Sequence, residues 1–318
     1  MNRSPALTAT AGAATVGQFK LTDRLCFRPL DLVCLLTLLQ MVYLTFAAQS
    51  VFLYGVLLKL WLLALVWPAF RRSFVLWLSI VALWTPPLIW QWCNHEDHVY
   101  FSVYWCAALA LAFWPASATT RIDGAEAARF LRHSARLLIG LCFLFAALWK
   151  LVSPEFTSDA LFHYKLLLDD RFSESLARWP GGMAPAVLLG NYAAVESLTA
   201  AGSTIDQVQL VYSPRISWLA RGMTWWTVAI EGFLALAFLW PVARRLYWIR
   251  NASLILFAVS TYLVAPVMGY GFTLMIMGLA NCQPDERKTR WAFVIALAGL
   301  ISILLFRDHW FPADIRDR

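Results

Sequence analysis

The chain has 318 residues, of which 60% are hydrophobic and 14% charged, with a formal net charge of +7. A soluble domain carries about 25% charged residues; with a mean hydropathy of +0.62 this chain holds too much apolar surface for one aqueous core, and a lipid bilayer is its natural solvent. The positive charge sits in Arg pairs and short groups between apolar runs, as in cytoplasmic loops, which speaks against nucleic acid as a partner.

Residues 1–20 are small and polar and read as a disordered tail. They lack the apolar core of a signal peptide, so the first apolar helix is expected to stay in place as an anchor. Apolar runs of near bilayer-spanning length then follow at 30–49, 51–70, 73–92, 99–117 and 134–152, and later at 219–240, 246–265, 267–281 and 291–306. The stretch 246–281 is nearly unbroken apart from Pro266, Gly269 and Gly271, so one broken helix or two short ones fit it.

Charge bias orients these runs. Lys20, Arg24 and Arg28 precede the first and place the N-terminus in the cytoplasm. Arg71 and Arg72 then fall inside, as do Arg121, Arg129, Arg132 and Arg136, and later Arg244, Arg245 and Arg250. Arg287, Lys288 and Arg290 join them only if 246–281 crosses twice, which favours nine passes over eight. The expected fold is all-α, a polytopic transmembrane bundle of about 8–9 spans in an inner membrane: one transmembrane domain over 21–306, then a short tail at 307–318.

Residues 153–218 are too long for a turn and too polar for a span, and on this topology they form an extracytoplasmic insertion after the fifth run. Its first part has apolar residues at 161, 162, 166, 167, 172, 176 and 179, close to one helical face, which predicts an interfacial helix ended by Pro180-Gly181-Gly182. A second helix at 184–201 and an extended return through IDQVQLVYSPR follow.

Three ionisable residues fall within spans: Lys59, Lys150 and Glu231. A charge at the bilayer centre costs about 2.5–3.5 kcal/mol on insertion scales and invites a partner or a purpose. Lys150 lies close enough to the span end to snorkel, and either lysine could neutralise Glu231 in a structural pair. The functional reading is a lysine desolvated in an apolar pocket and used as a base. His163, on the insertion, lies close enough in sequence to fold back over Lys150. The loop His95-Glu96-Asp97-His98 reads as a solvated turn and not as a metal site. His133, beside Arg132 and Arg136, reads as a headgroup contact. The six cysteines form no C-x-x-C pair and read as buried small hydrophobes. Trp residues near span ends, Trp84 among them, read as interface anchors.

The segment FLFAALWKLVSPEFTSDALFHYKLL resembles the Lys-Leu stretch in the membrane domain of vitamin K-dependent gamma-carboxylases and of their bacterial relatives, the HTTM (horizontally transferred transmembrane) proteins. TWWTVAIEGFLALAFLWPVARRL and the Gly/Met-rich APVMGYGFTLMIMGLAN continue that likeness over roughly residues 20–300. The resemblance implies a quinone as cofactor or substrate, with Lys150 the base that deprotonates its hydroquinone form; Glu231, within the later span, is read as tuning the charge of Lys150. Two departures stand against full transfer: the family's His near the start of the Gly/Met-rich span has no match in STYLVAPVMGYG, and little chain follows the last run where the carboxylases have a large lumenal domain. The expectation is therefore an enzyme acting on a lipid-soluble or membrane-delivered peptide substrate, or else a non-catalytic membrane component that aids maturation or export of a partner.

Overall fold

A computed structural model describes residues 29–47, 51–90, 92, 96–114, 124–169, 172–199, 207–241, 246–264 and 267–310. The tail 1–20, the cations Lys20, Arg24, Arg28, Arg121, Arg244 and Arg245, and also His95, Cys26, Cys93 and the last residues 311–318, lie outside these. The described residues contain helices and no strand.

The bundle consists of α1 (Pro29–Ala47), α2 (Val51–Val66) with the one-turn α3 (Pro68–Arg71), α4 (Phe74–Trp90), α5 (Asp97–Ala112) and α6 (Gly124–Val152). The insertion supplies α7 (Pro154–Thr157), α8 (Ala160–Leu168), a π-helical turn (Ser173–Ala177) and α9 (Pro185–Thr199). The bundle resumes with α10 (Pro214–Leu239), α11 (Tyr247–Val264), α12 (Met268–Asn281) and α13 (Arg287–Trp310). Prolines open several of these helices at the position where a missing N–H loses nothing: Pro154 follows Ser153 and Pro214 follows Ser213, both in extended backbone.

Two helices, α6 and α10, are long and apolar enough to cross a membrane, and α1, α2 and α4 are shorter apolar helices. At 1.5 Å per residue the 29 residues of α6 reach about 43 Å. The helix starts at 124 and not at 134, because the charged stretch before the apolar run continues the same turns. α13 likewise runs on to Trp310, through residues read as tail.

α6 and α10 pack antiparallel over most of their length. Gly140 admits Phe238 and Leu239 against the α6 backbone, and further along the same seam Lys150 meets Glu231. The centre of the bundle is α12. It touches α1, α5, α6, α11 and α13 and is buried on every side from Gly271 to Leu279, as a helix apolar all round must be. Its glycines are where rings approach: a Cβ at Gly269 would collide with the His98 imidazole, and one at Gly278 with the Phe293 ring. Where its side chains are polar they bond across helices: Gln40 donates to the Gly269 carbonyl (2.8 Å), and the Ser102 and Thr273 hydroxyls share a hydrogen bond of 2.7 Å.

The stretch 246–281 is two helices. Asn281 near the end of α12 donates to Asn251 near the start of α11 (3.1 Å), and Tyr262 near the end of α11 packs edge-on to Tyr270 near the start of α12. The pair is thus antiparallel. One consequence is that the described cations of four separate segments gather at one end, here called the arginine end. Arg72, Arg132 and Arg290 line one cavity there, and Arg129, Arg132, Arg136 and Arg250 line its neighbour. Arg72 also forks onto Asp31 with contacts of 2.9 and 2.8 Å, tying the start of α1 to the α3–α4 corner.

The exterior is rich in large apolar side chains. Phe145, Leu236 and Ile295, on three different helices, are 65%, 65% and 67% exposed. Trp67, Trp90, Trp114, Trp218, Trp240 and Trp291 are exposed near helix ends, whereas Trp84 is buried in the core with its neighbour Trp77.

The insertion departs from the single interfacial helix read in the sequence. The turn after Leu168 breaks it, and its apolar residues Phe162, Leu166, Leu167 and Phe172 are consumed in a second small core with Ile216 and Ala220 of α10. Most of its apolar face is therefore packed on protein, while Trp179 at the end of that face stays exposed.

Candidate functional site

Lys150 and Glu231 meet because each continues the buried stripe of its own helix. Ile139, Phe143 and Ala147 precede Lys150 at helical spacing on α6, and Leu234, Ala235 and Phe238 follow Glu231 on α10. Antiparallel packing of the two stripes brings the ammonium Nζ to 2.9 Å from Oε1 and 2.7 Å from Oε2. Both side chains are largely withdrawn from solvent, at 13% and 10% exposure. The Phe156 ring, on α7, lies with its centroid 5.2 Å from Nζ, close enough for a cation–π contact. Trp149 and Phe162 pack edge-on to Phe156, so three rings from α6, α7 and α8 form one aromatic cover beside the amine. The charge inside the last turn of an apolar helix is thus answered by a carboxylate and an aromatic face.

Lys59 takes no part in this. It is exposed on α2, and no ion-pair partner for it occurs among the described residues. His163 points its ring nitrogens at the Asp159 carbonyl (3.1 Å) and the Ser217 hydroxyl (3.2 Å), and packs edge-on to Tyr212. Its contacts fasten the insertion to α10. Asp159, in left-handed backbone with φ 61°, also receives Arg221 at 3.2 Å, so this corner is pinned twice.

Deeper along α6 lies a group that the sequence reading passed over. Cys142 Sγ and Tyr270 Oη are 2.6 Å apart, and Tyr270 packs against Phe101 and Tyr262. Two tyrosines inside apolar runs, one either side of Pro266, were the available signal, because a buried phenol needs a hydrogen-bond partner.

His98 was read within a solvated turn. Its side chain is only 12% exposed: Nδ1 lies 3.1 Å from Glu96 Oε2, and the ring covers the backbone of Gly269. The imidazole of α5 thus lies against the start of α12. Among the described residues no cluster of three or more metal-ligating side chains occurs. Compared with family models, curated proteins and solved structures, the chain matches none.

Proposed function

We propose that the chain is a polytopic membrane protein on an HTTM or carboxylase-like plan, and that the Lys150–Glu231 pair is a base site for a lipid-soluble, quinone-like substrate or a membrane-delivered peptide. Support for the membrane placement is the gathering of cations from four segments at one end, with an apolar exterior between that end and the insertion. The observation that carries the chemistry is the withdrawal of the Lys150 amine from water beside a carboxylate that can take its proton. Moving that proton from Nζ to Glu231 leaves a free amine and a carboxylic acid with no change in net charge. The amine can then accept a hydroxyl proton from a hydroquinone, and the resulting ammonium stands next to the new oxyanion. Phe156 and its ring neighbours keep bulk water from the exchange.

A second reading is favoured by the completeness of the pair. Both carboxylate oxygens are engaged by the ammonium, and the two cavities described lie at the opposite end. In this reading Lys150 and Glu231 clamp α6 to α10 in a non-catalytic component that serves a partner.

One series separates the two. Purified protein in nanodiscs is mixed with a hydroquinone of the vitamin K type, and formation of the quinolate is followed by its absorbance against pH. Base chemistry requires that Lys150→Met abolish quinolate formation and that Lys150→Arg fail to restore it, since a guanidinium cannot be deprotonated in this range. Equal behaviour of wild type and Lys150→Met sinks the base reading and leaves the clamp.

A further inference from the structure

The arginine end holds a cavity of about 180 Å³ between α6, α11 and the end of α12. Arg129, Arg132 and Arg136 recur at helical spacing on one face of α6, and Arg250 faces them from α11, with His133 and Tyr247 completing the wall. Among the described residues no carboxylate lines it. Glu286, whose charge reaches Arg250, accepts the backbone N–H of Gln283 instead (2.6 Å).

Cations grouped this way repel one another. Among the described residues the Nε atoms of Arg132, Arg136 and Arg250 are all buried without a hydrogen-bond partner. Arg250 is the decisive member. It is 3% exposed and its guanidinium is held flat by Tyr247 and Phe238, at 4.4 and 5.2 Å from the ring centroids. A guanidinium fixed by rings and left with an unused buried donor is a preformed fork for a tetrahedral oxyanion. A buried donor left unmade is costly, so the arrangement calls for an acceptor.

We propose that this cavity binds the terminal phosphate of a phosphate monoester, which a phosphodiester such as phosphatidylcholine does not carry. Arg132 also lines a second cavity of about 370 Å³, walled mainly by apolar residues such as Leu30, Val33, Leu131 and Leu279. The two share a wall, which gives a phosphate in the first an apolar neighbour of a size suited to an acyl chain. A lipid headgroup and a soluble phosphate ester carry the same recognised group, and the experiment tells them apart.

Calorimetric titration of the full chain in detergent micelles, at fixed ionic strength, uses three probes: phosphatidic acid in mixed micelles, phosphatidylcholine in the same micelles, and glycerol 3-phosphate. Saturable binding of phosphatidic acid alone upholds the site and makes its source a lipid. Saturable binding of glycerol 3-phosphate upholds it and makes the source soluble. Arg136→Gln is expected to weaken either by about tenfold to a hundredfold, the worth of a charge-assisted hydrogen bond. Arg129→Gln, on an exposed shoulder of the cavity, gives the same comparison should Arg136→Gln fail to fold. Lys288→Gln removes an equal charge from an exposed position outside both cavities and is expected to leave affinity within about twofold. The proposal is overturned if neither phosphate probe saturates, if phosphatidylcholine binds equally, or if Lys288→Gln weakens binding as much as the cavity variants do.

Discussion

Asn281 donates to Asn251 across 3.1 Å, and this contact decides that the chain from 246 to 281 turns back on itself. Both residues are fully buried at the arginine end. Asn281→Ala removes the donor and leaves the Asn251 carbonyl oxygen unsatisfied. Loss of about 1–3 kcal/mol is expected, read as a lower midpoint in detergent unfolding.

The Lys150–Glu231 pair should show strong non-additivity. Glu231→Ala strands a largely buried ammonium, and breaking such a pair costs about 3–5 kcal/mol. Lys150→Met combined with Glu231→Leu should recover most of that loss, because no charge remains to be solvated. A double-mutant cycle in unfolding measurements reads the coupling directly; additive losses would mean that the two groups do not interact in the membrane.

Packing around α12 gives a sharper steric test. A Cβ at Gly278 would meet the Phe293 ring, so Gly278→Ala should destabilise by about 1–3 kcal/mol, as overpacking does. Gly222, whose Cβ would meet nothing within 4 Å, should accept the same change with no loss, measured by the same unfolding assay.

The shared arginine end gives a test of the proposed topology. Single cysteines at Arg72 and Lys288 should be labelled by an impermeant maleimide from the same face of sealed vesicles, and a cysteine at Glu155 only from the opposite face. Labelling of positions 72 and 288 from opposite faces would mean that 246–281 does not cross twice.

Cys282 offers a test by pH. Burial, with Glu286 adding to it and Arg290, Arg250 and Arg132 opposing, pushes its thiol up to about 12. The thiolate is the reactive form. In a background lacking the other cysteines, alkylation of Cys282 by a permeant maleimide should be slow at pH 8 and still rising at pH 10. A rate that levels off near pH 9 would mean that the thiol sits in ordinary solvent.

Much of the bundle was legible because apolar runs and helices share a cause, the length of chain that can hide its backbone groups within itself. The two-helix form of 246–281 was readable only through charge, since Arg287, Lys288 and Arg290 had to join the other cations. What could not be read was which apolar face meets which. Trp84 sits among aromatic residues near a run's end and looks like an anchor, but it is core. The stripe 161–179 looks like a lipid-facing surface, but Ile216 and Ala220, some fifty residues on, cover its part from Phe162 to Phe172 and leave Trp179 exposed. The partner of Lys150 was open for the same reason: only the antiparallel register of α6 and α10 picks Lys150 over Lys59. Cys142 and His98 were missed because their partners, Tyr270 and Gly269, lie more than a hundred residues away.

The small core under the insertion is separate from the core of the bundle, so the two can open independently. Phe156 belongs to the small one and touches Lys150. Local melting of that cap alone would bare the amine while every long helix stays docked. Hydrogen exchange should then find the amides of 160–169 and 172–177 trading with solvent sooner than those of α12.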